Sequence, residues 1–364
     1  MISRADIARQ RLANQDLIRP ASTRPADVVR RLGAMQAQDF AGAKWAIGLR
    51  TRGVNEQDVD RAFDDGDIIR THVLRPTWHF VAPADLRWML SLTARRIRAA
   101  CGSWYRQLAL DGATFRRSRR VLEKALGGGR HLTRAELAAA YERAGIATGP
   151  PPRLSPLLID AELDGLICSG PRRGKHFTYA LVDERIPSAA PVARDEALLD
   201  LTIRYFTTRG PATPTDFAWW SGLTTAEARR GIEIAGGTLT RETGDGVDYW
   251  MAKDGAPPRK PAGQAYLLPN YDEYYIGFKD RSALVQSLEE RGLSLPREAF
   301  VAHLLAMDGQ VVGAWKRSIE NDAVRVELTP LIARSHTHRR AMTAAAQRLG
   351  TFLGRPVELS IQAR

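Results

Sequence analysis

The sequence predicts a mainly α-helical chain with β-hairpin wings. It is an α+β architecture of three tandem winged-helix domains followed by a small, strand-rich C-terminal α+β domain. Three observations carry that expectation. Helical periods followed by a short β pair recur three times, although residue identity between the repeats is weak. Each β pair is interrupted by a turn signal: Arg75-Pro76, the basic turn with Arg172, Arg173, Lys175 and His176, and Gly244-Asp245-Gly246. After a Gly/Pro/Lys-rich linker at 254–261 the pattern changes to strands. The expected segments are 1–100, 101–190, 191–255 and 262–364.

Taken in order, Ile7 to Leu17 reads as a helix stopped at Pro20, and Asp27 to Ala34 as a second, entered through Pro25. Two further helices, Gly42 to Leu49 and Val59 to Phe63, precede the β-rich run Ile68 to Val81. Long helices follow at Ala84 to Ala100 and Phe115 to Leu126, the latter ending in three glycines. Thr133 and Glu136 have the spacing of a capping box, and Leu154 to Leu166 reads as the next helix. Strand, basic turn and strand then run from Ile167 to Leu181. The third repeat has helices at Asp195 to Thr208, from Thr213 and from Thr224, and a hairpin from Leu239 to Met251. Beyond the linker, strands are expected at Phe300 to Met307, Val311 to Arg317 and Ala323 to Leu328, with a turn at Asp308-Gly309 and a helix from Ser335 to Leu349.

At 364 residues, 44% hydrophobic and 26% charged, the chain has ordinary globular composition and ample length to bury cores. No apolar run is long enough for a membrane span, and the N-terminus lacks the apolar core of a signal peptide. Cys101 and Cys168 have no metal-ligand spacing and no framework partners, so a reduced, cytoplasmic protein is expected; it is expected to be a monomer. The net charge is +12, and arginines return in clusters such as Arg95/Arg96/Arg98 and Arg116/Arg117/Arg119/Arg120. Clustered arginine suits a polyanion partner; an arginine-rich proteome would give the same composition.

Few constellations could carry chemistry. Nucleotide-binding and nucleophile-elbow motifs are missing, and His336-x-His338 lacks a third ligand, so neither a cofactor nor a metal is expected. The acidic pair Asp272-Glu273 stands out in a basic chain, either as an anchor for arginines or as a catalytic carboxylate. His72 and His79 flank Arg75 and Thr77, either as buried structural histidines or as a polar ridge. The sharpest stretch is Met35-Gln36-Ala37-Gln38-Asp39-Phe40. Amides at i and i+2 do not share a helix face, so they converge only where a helix ends or the chain turns.

Three motifs occur in order: Met35-Gln36-Ala37-Gln38-Asp39-Phe40-Ala41-Gly42-Ala43-Lys44-Trp45-Ala46, then His72 to Val81, then Leu267-Leu268-Pro269-Asn270-Tyr271-Asp272-Glu273-Tyr274-Tyr275 onward to Arg281. Together they resemble the winged-helix DNA glycosylases of the AlkZ/YcaQ family. The resemblance implies a DNA-cradling body of winged helices with a Gln-x-Gln catalytic element, here Gln36 and Gln38. It also implies hydrolysis of N7-alkylated, cationic purines in double-stranded DNA, extending in some members to interstrand crosslinks and to resistance against DNA-crosslinking natural products. Gln38 would position the water and Gln36 would add positioning and electrostatics; Asp39 is either a more remote base or, one place further on, pointed away from the site. A Schiff-base lysine is missing from the Gln-x-Gln motif, which implies a monofunctional enzyme. Arg75, Thr77 and His79, and the wing residues Arg172, Arg173, Lys175 and His176, are the expected DNA contacts. A non-catalytic winged-helix regulator is the alternative, and loss of base release on Gln38→Ala would discriminate the two.

Overall fold

The computed structural model describes residues 1–255, 263–296, 299, 302–320, 322–332 and 335–362. The linker expected at 254–261 and the start of the strand expected at 300 lie largely outside these residues. The fold is mixed, with helices throughout and several small sheets. In chain order the helices are α1 (Arg4–Asn14), α2 (Pro25–Leu32), α3 (Phe40–Gly48), α4 (Glu56–Asp64), α5 (Pro83–Gln107), α6 (Gly112–Leu126), α7 (Arg134–Arg143), α8 (Leu154–Leu163), α9 (Val182–Arg185), α10 (Arg194–Arg209), α11 (Pro214–Ser221), α12 (Thr225–Ala235), α13 (Glu273–Ile276), α14 (Ser282–Glu289) and α15 (His336–Leu353). The strands are β1 (Ala34–Gln36), β2 (Ile69–His72), β3 (Trp78–Val81), β4 (Leu132–Thr133), β5 (Ile167–Ser169), β6 (Thr178–Leu181), β7 (Leu239–Gly244), β8 (Val247–Ala252), β9 (Ala265–Leu268), β10 (Leu304–Met307), β11 (Gln310–Glu320), β12 (Ala323–Pro330) and β13 (Val357–Ile361).

These elements pack as two compact units. One comprises residues 1–60, 199–220 and 224–364; the other comprises 61–198 and 221–223. The N-terminal helices therefore share a core with the C-terminal sheet, a grouping unlike four consecutive segments.

In the first unit, β9 to β13 form a five-stranded sheet in the order β13-β12-β11-β10-β9, antiparallel except for the parallel β12–β13 pair. The β10–β11 turn is Asp308-Gly309, both at positive φ, as a tight hairpin requires. Helix α15 packs on β9 and also holds α3: Arg348 donates to the Leu49 carbonyl at 2.6 Å, and Phe352 lies against Trp45 and Gly48. Trp45 in turn donates its indole N–H to Leu267 O on β9 at 2.6 Å. A second aromatic core gathers Tyr205, Phe206, Phe217 and Trp220, whose rings lie 5.0–5.2 Å from that of Tyr205. Burial of these large rings supplies the main driving force for that core.

The second unit is built from α5 to α9, the β2–β3 hairpin and the β4-β6-β5 sheet. Its helices meet through Leu122, Leu126, Leu137, Tyr141 and Leu157, all fully buried. The capping box expected at Thr133/Glu136 starts α7, and the Thr224/Glu227 spacing produces a second one at α12 in the first unit. The β2–β3 connection runs past Pro76, which is exposed and spared from the ladder, as a residue without an N–H must be. Both cysteines are buried free thiols; burial pushes that of Cys168 up to about 12. Among the described residues no helix is long and apolar enough to cross a membrane.

Candidate active site

Gln36 is the last residue of the extended strand β1, and Ala37 and Gln38 lead out of it. Helix α2 ends at Leu32 with Gly33 at φ +79°, which reverses the chain into β1, and the backbone then bends at Gln38-Asp39 into α3. Gln36 is 7% exposed and Gln38 is exposed, so the two amides have different surroundings. Asp39 is the N-cap of α3: its Oδ1 accepts the N–H groups of Ala41 and Gly42 at 3.1 and 3.2 Å. That employment fixes the bend carrying Gln38.

The backbone of the motif is held from far along the chain. The Gln36 N–H donates to Glu273 Oε1 at 2.8 Å. Oε2 of the same carboxylate accepts Arg209 Nη2 at 2.7 Å and Trp220 Nε1 at 2.8 Å. Arg209 donates onward to Leu32 O at 2.9 Å and Ala34 O at 3.0 Å, the two carbonyls flanking the reversal into β1. Its guanidinium also lies over the Trp220 ring, 4.2 Å from the centroid. The Glu273 and Arg209 side chains are at most 1% exposed, so this is a fully satisfied buried ion pair. The neighbouring Asp272 holds the far end of α3: Arg50 bonds it bidentately at 2.9 and 2.8 Å and donates to Ala46 O at 3.0 Å. The acidic pair thus anchors two arginines and brackets the motif and α3 from both sides.

Asn270 and His303 complete this wall. Asn270 N–H donates to His303 Nδ1 at 2.9 Å, so that ring nitrogen is unprotonated, and the imidazole packs at a tilt against Trp315, 4.7 Å between centroids. Burial, aided by Arg317, pushes the His303 pKa down against the opposing pull of Asp39. A Cβ added to Gly42 would lie 2.7 Å from Asn270 Oδ1 and 3.0 Å from Asp39 Oδ2, so only glycine lets α3 approach Asn270 this closely. Lys44, inside the wider motif, is 6% exposed and bonded to Glu56 at 2.8 Å and Asp60 at 2.9 Å.

A family model described as DNA glycosylase AlkZ-like matches residues 29–352, from before the Gln-x-Gln stretch to the end of α15. The chain belongs to the AlkZ-like DNA glycosylases. It is 26% identical over 305 residues to the interstrand DNA cross-link repair glycosylase of Streptomyces sahachiroi, covering 80% of this chain and 81% of that one. The solved structure of the S. sahachiroi DNA glycosylase AlkZ matches 99% of this chain and all of that chain, with a TM-score of 0.79 at 23% identity, so the fold is shared. An AlkZ-like chain is a DNA glycosylase that acts on DNA, and the non-catalytic regulator reading is set aside.

In the AlkZ-like chain the remaining expected contacts fall in the second unit. Arg75 and Thr77 are half-buried in the β2–β3 connection, whereas His79 is fully buried, with its Nδ1 2.8 Å from Thr77 O. His72 is also buried and hydrogen-bonded to Glu162. Arg172 spends its backbone N–H and its guanidinium on Asp64, at 2.8 to 3.2 Å. Burial raises the Asp64 carboxyl, but the bonds from Arg172 outweigh it and hold the group below the usual range. Arg173, Lys175 and His176 are exposed at the tip of the β5–β6 wing. That tip is a two-residue turn closed by mutual Arg173–His176 backbone bonds of 2.9 and 3.1 Å, with Gly174 at φ +61° in its first central position.

Sequence reasoning did not assign Glu273, Arg209 or Trp220 to the Gln motif. The one signal was an acidic pair set among tyrosines, a place where carboxylates are costly unless paired. Arg209 carried no signal, since a basic residue in the last turn of a helix is ordinary dipole complementation.

Proposed function

We propose that this glycosylase hydrolyses the N-glycosidic bond of N7-alkylated purines, including bulky and interstrand-crosslinked adducts, with Gln36 and Gln38 as the catalytic residues. The observation that carries the reading is the Glu273–Arg209–Trp220 anchor on the Gln36 backbone, which spends a buried ion pair on holding an amide-bearing strand. N7 alkylation makes the base a cation, so the leaving group is activated by its own charge. What remains is to place a water and to tolerate an oxocarbenium-like sugar. Gln38, exposed beside the α3 cap, orients the water through its carbonyl oxygen in this reading, a role for which an amide suffices. Gln36 contributes positioning.

Lyase chemistry needs a free amine, and Lys44 is charge-paired with two carboxylates, which supports a monofunctional enzyme. Arg75, Arg173, Lys175 and His176 are assigned to the DNA backbone, with His79, Thr77 and Arg172 shaping the loops that present them. The tandem winged-helix reading of the body belongs to the same proposal, and the relative's cross-link repair role extends it to crosslinked substrates.

The test is single-turnover base release from N7-methylguanine duplex and from a duplex crosslinked between N7 positions, with wild type, Gln36→Ala and Gln38→Ala. The expected result is release by wild type and a loss of about 100-fold or more for Gln38→Ala, the range seen when a group acting at the transition state is removed. Undiminished release by both variants would remove the amides from the mechanism.

A further inference from the structure

The second unit contains a cleft of about 860 Å³ whose described lining includes neither Gln36 nor Gln38. It opens between the β2–β3 hairpin, the β5–β6 wing and the start of α7, and its lining includes Arg70, Trp78, Arg134, Arg173, Lys175 and Phe177. That volume is in the range of small-ligand sites. Its inner wall is aromatic: Trp78 and Phe177 are half-buried, and the buried Tyr179 ring lies 6.5 Å from that of Trp78. Arg70, 9% exposed, has its guanidinium 4.3 Å from the Trp78 centroid and 4.9 Å from that of Phe177. The backbone N–H of Arg70 donates to Ser169 Oγ at 2.9 Å, which ties β2 to β5 and fixes the wall.

The cleft is also electropositive. Among its described lining residues Arg70, Arg134, Arg173 and Lys175 face a single carboxylate, Glu136. That carboxylate is already committed: the Thr133 backbone N–H and Arg173 at 2.8 Å hold it down at about 2. Arg134, Arg173 and Lys175 are exposed and line the mouth, whereas Tyr179 and Arg70, whose guanidinium lies against the Trp78 and Phe177 rings, are buried in the interior. Aromatic rings and a guanidinium plane inside, with further cations at the mouth, match one chemistry, a planar heterocycle carrying a phosphate.

We propose that this cleft binds a nucleotide, with its base against Trp78 and Phe177 and its phosphate at Lys175 and Arg134. The nucleotide has two possible sources, a free mononucleotide or an unpaired nucleotide of the DNA strand. The second source rests on the DNA-glycosylase reading; the first does not.

The experiment uses the full chain and 2-aminopurine, whose fluorescence is quenched on stacking. The probes are the free deoxynucleoside monophosphate, the nucleoside without phosphate, and a single-stranded pentamer with 2-aminopurine at its centre. Saturable quenching is expected with the monophosphate or the pentamer, with at least tenfold weaker binding of the nucleoside. Phe177→Leu and Trp78→Ala should each weaken binding about 5- to 100-fold, as loss of a base-stacking ring does. Trp78→Phe should recover most of it, and the surface variant Lys175→Glu should weaken only the phosphate-bearing probes. Quenching by the monophosphate assigns the site to a free nucleotide, and quenching by the pentamer alone assigns it to a strand. No saturable quenching in wild type, or identical quenching in Phe177→Leu and Lys175→Glu, would overturn the proposal. Gln38→Ala serves as the separating control. It should lose base release and keep quenching, so failure of the Gln chemistry and failure of the cleft are read independently.

Discussion

Glu273→Gln is the most informative single perturbation of this protein. The Glu273 carboxylate accepts from Gln36 N–H on one oxygen and from Arg209 and Trp220 on the other, and every partner is a donor. A glutamine has nearly the same shape but only one acceptor oxygen. With its carbonyl toward Gln36, its NH₂ faces Arg209 and the indole; turned round, its NH₂ faces the Gln36 N–H. Either rotamer sets donor against donor in a site at most 1% exposed, and Arg209 loses its counter-charge. Breaking one side of such a buried pair costs about 3–5 kcal/mol. The lower end is expected, because Arg209 keeps the carbonyls of Leu32 and Ala34 and the Thr208 hydroxyl. Chemical unfolding followed by circular dichroism should therefore give a loss of about 3 kcal/mol. Base release measured at a temperature where the variant is still folded should fall as well, because the strand carrying Gln36 has lost its tether. A variant within about 1 kcal/mol of wild type that keeps its full single-turnover rate would refute the reasoning, since it would show that the carboxylate neither balances Arg209 nor positions the motif.

Three further outcomes are expected. Asp272→Asn leaves the buried Arg50 without its bidentate partner and should destabilise by about 3–5 kcal/mol, while depressing base release less than Glu273→Gln at matched folded fraction, because it holds the far end of α3. Gly42→Ala pushes a methyl to 2.7 Å from Asn270 Oδ1, so it should cost stability despite the better helix propensity of alanine; a variant as stable as wild type would show that the wall relaxes freely. Folding stability should fall on acidification below pH 6.5, because unfolded His303 takes up a proton that the buried native ring, accepting from Asn270, resists. The sign follows from the lowered native pKa: stability is full above the unfolded value and declines as pH drops towards the native one. His303→Gln should reduce the slope between pH 6.5 and 5.5, leaving the contribution of His131, whose pKa burial also lowers; an unchanged slope would exclude His303 as the source.

The sequence by itself determined the parts that depend on neighbours along the chain. The Thr133/Glu136 capping box, the Asp308-Gly309 turn, the basic turn within 167–181 and the placing of Pro76 outside the ladder are local, and each is seen where its residues predict it. The three motifs that carry the family resemblance were equally legible. Tertiary structure alone decided the rest. Gln36 and Glu273 are 237 positions apart, and Arg209 joins them from a helix with no local mark of that role. Strand β1 is extended although an apolar helical period leads into it, because Glu273 and Arg209 take up the Gln36 N–H and the Leu32 and Ala34 carbonyls that a continuing helix would have satisfied internally. Strand β13 was likewise invisible, because its partner β12 lies ahead of the whole of α15. Periodicity reports how a segment meets a surface, not which distant surface it meets. Only the fold brings one acidic pair to both ends of the Gln36-Ala37-Gln38 segment and α3.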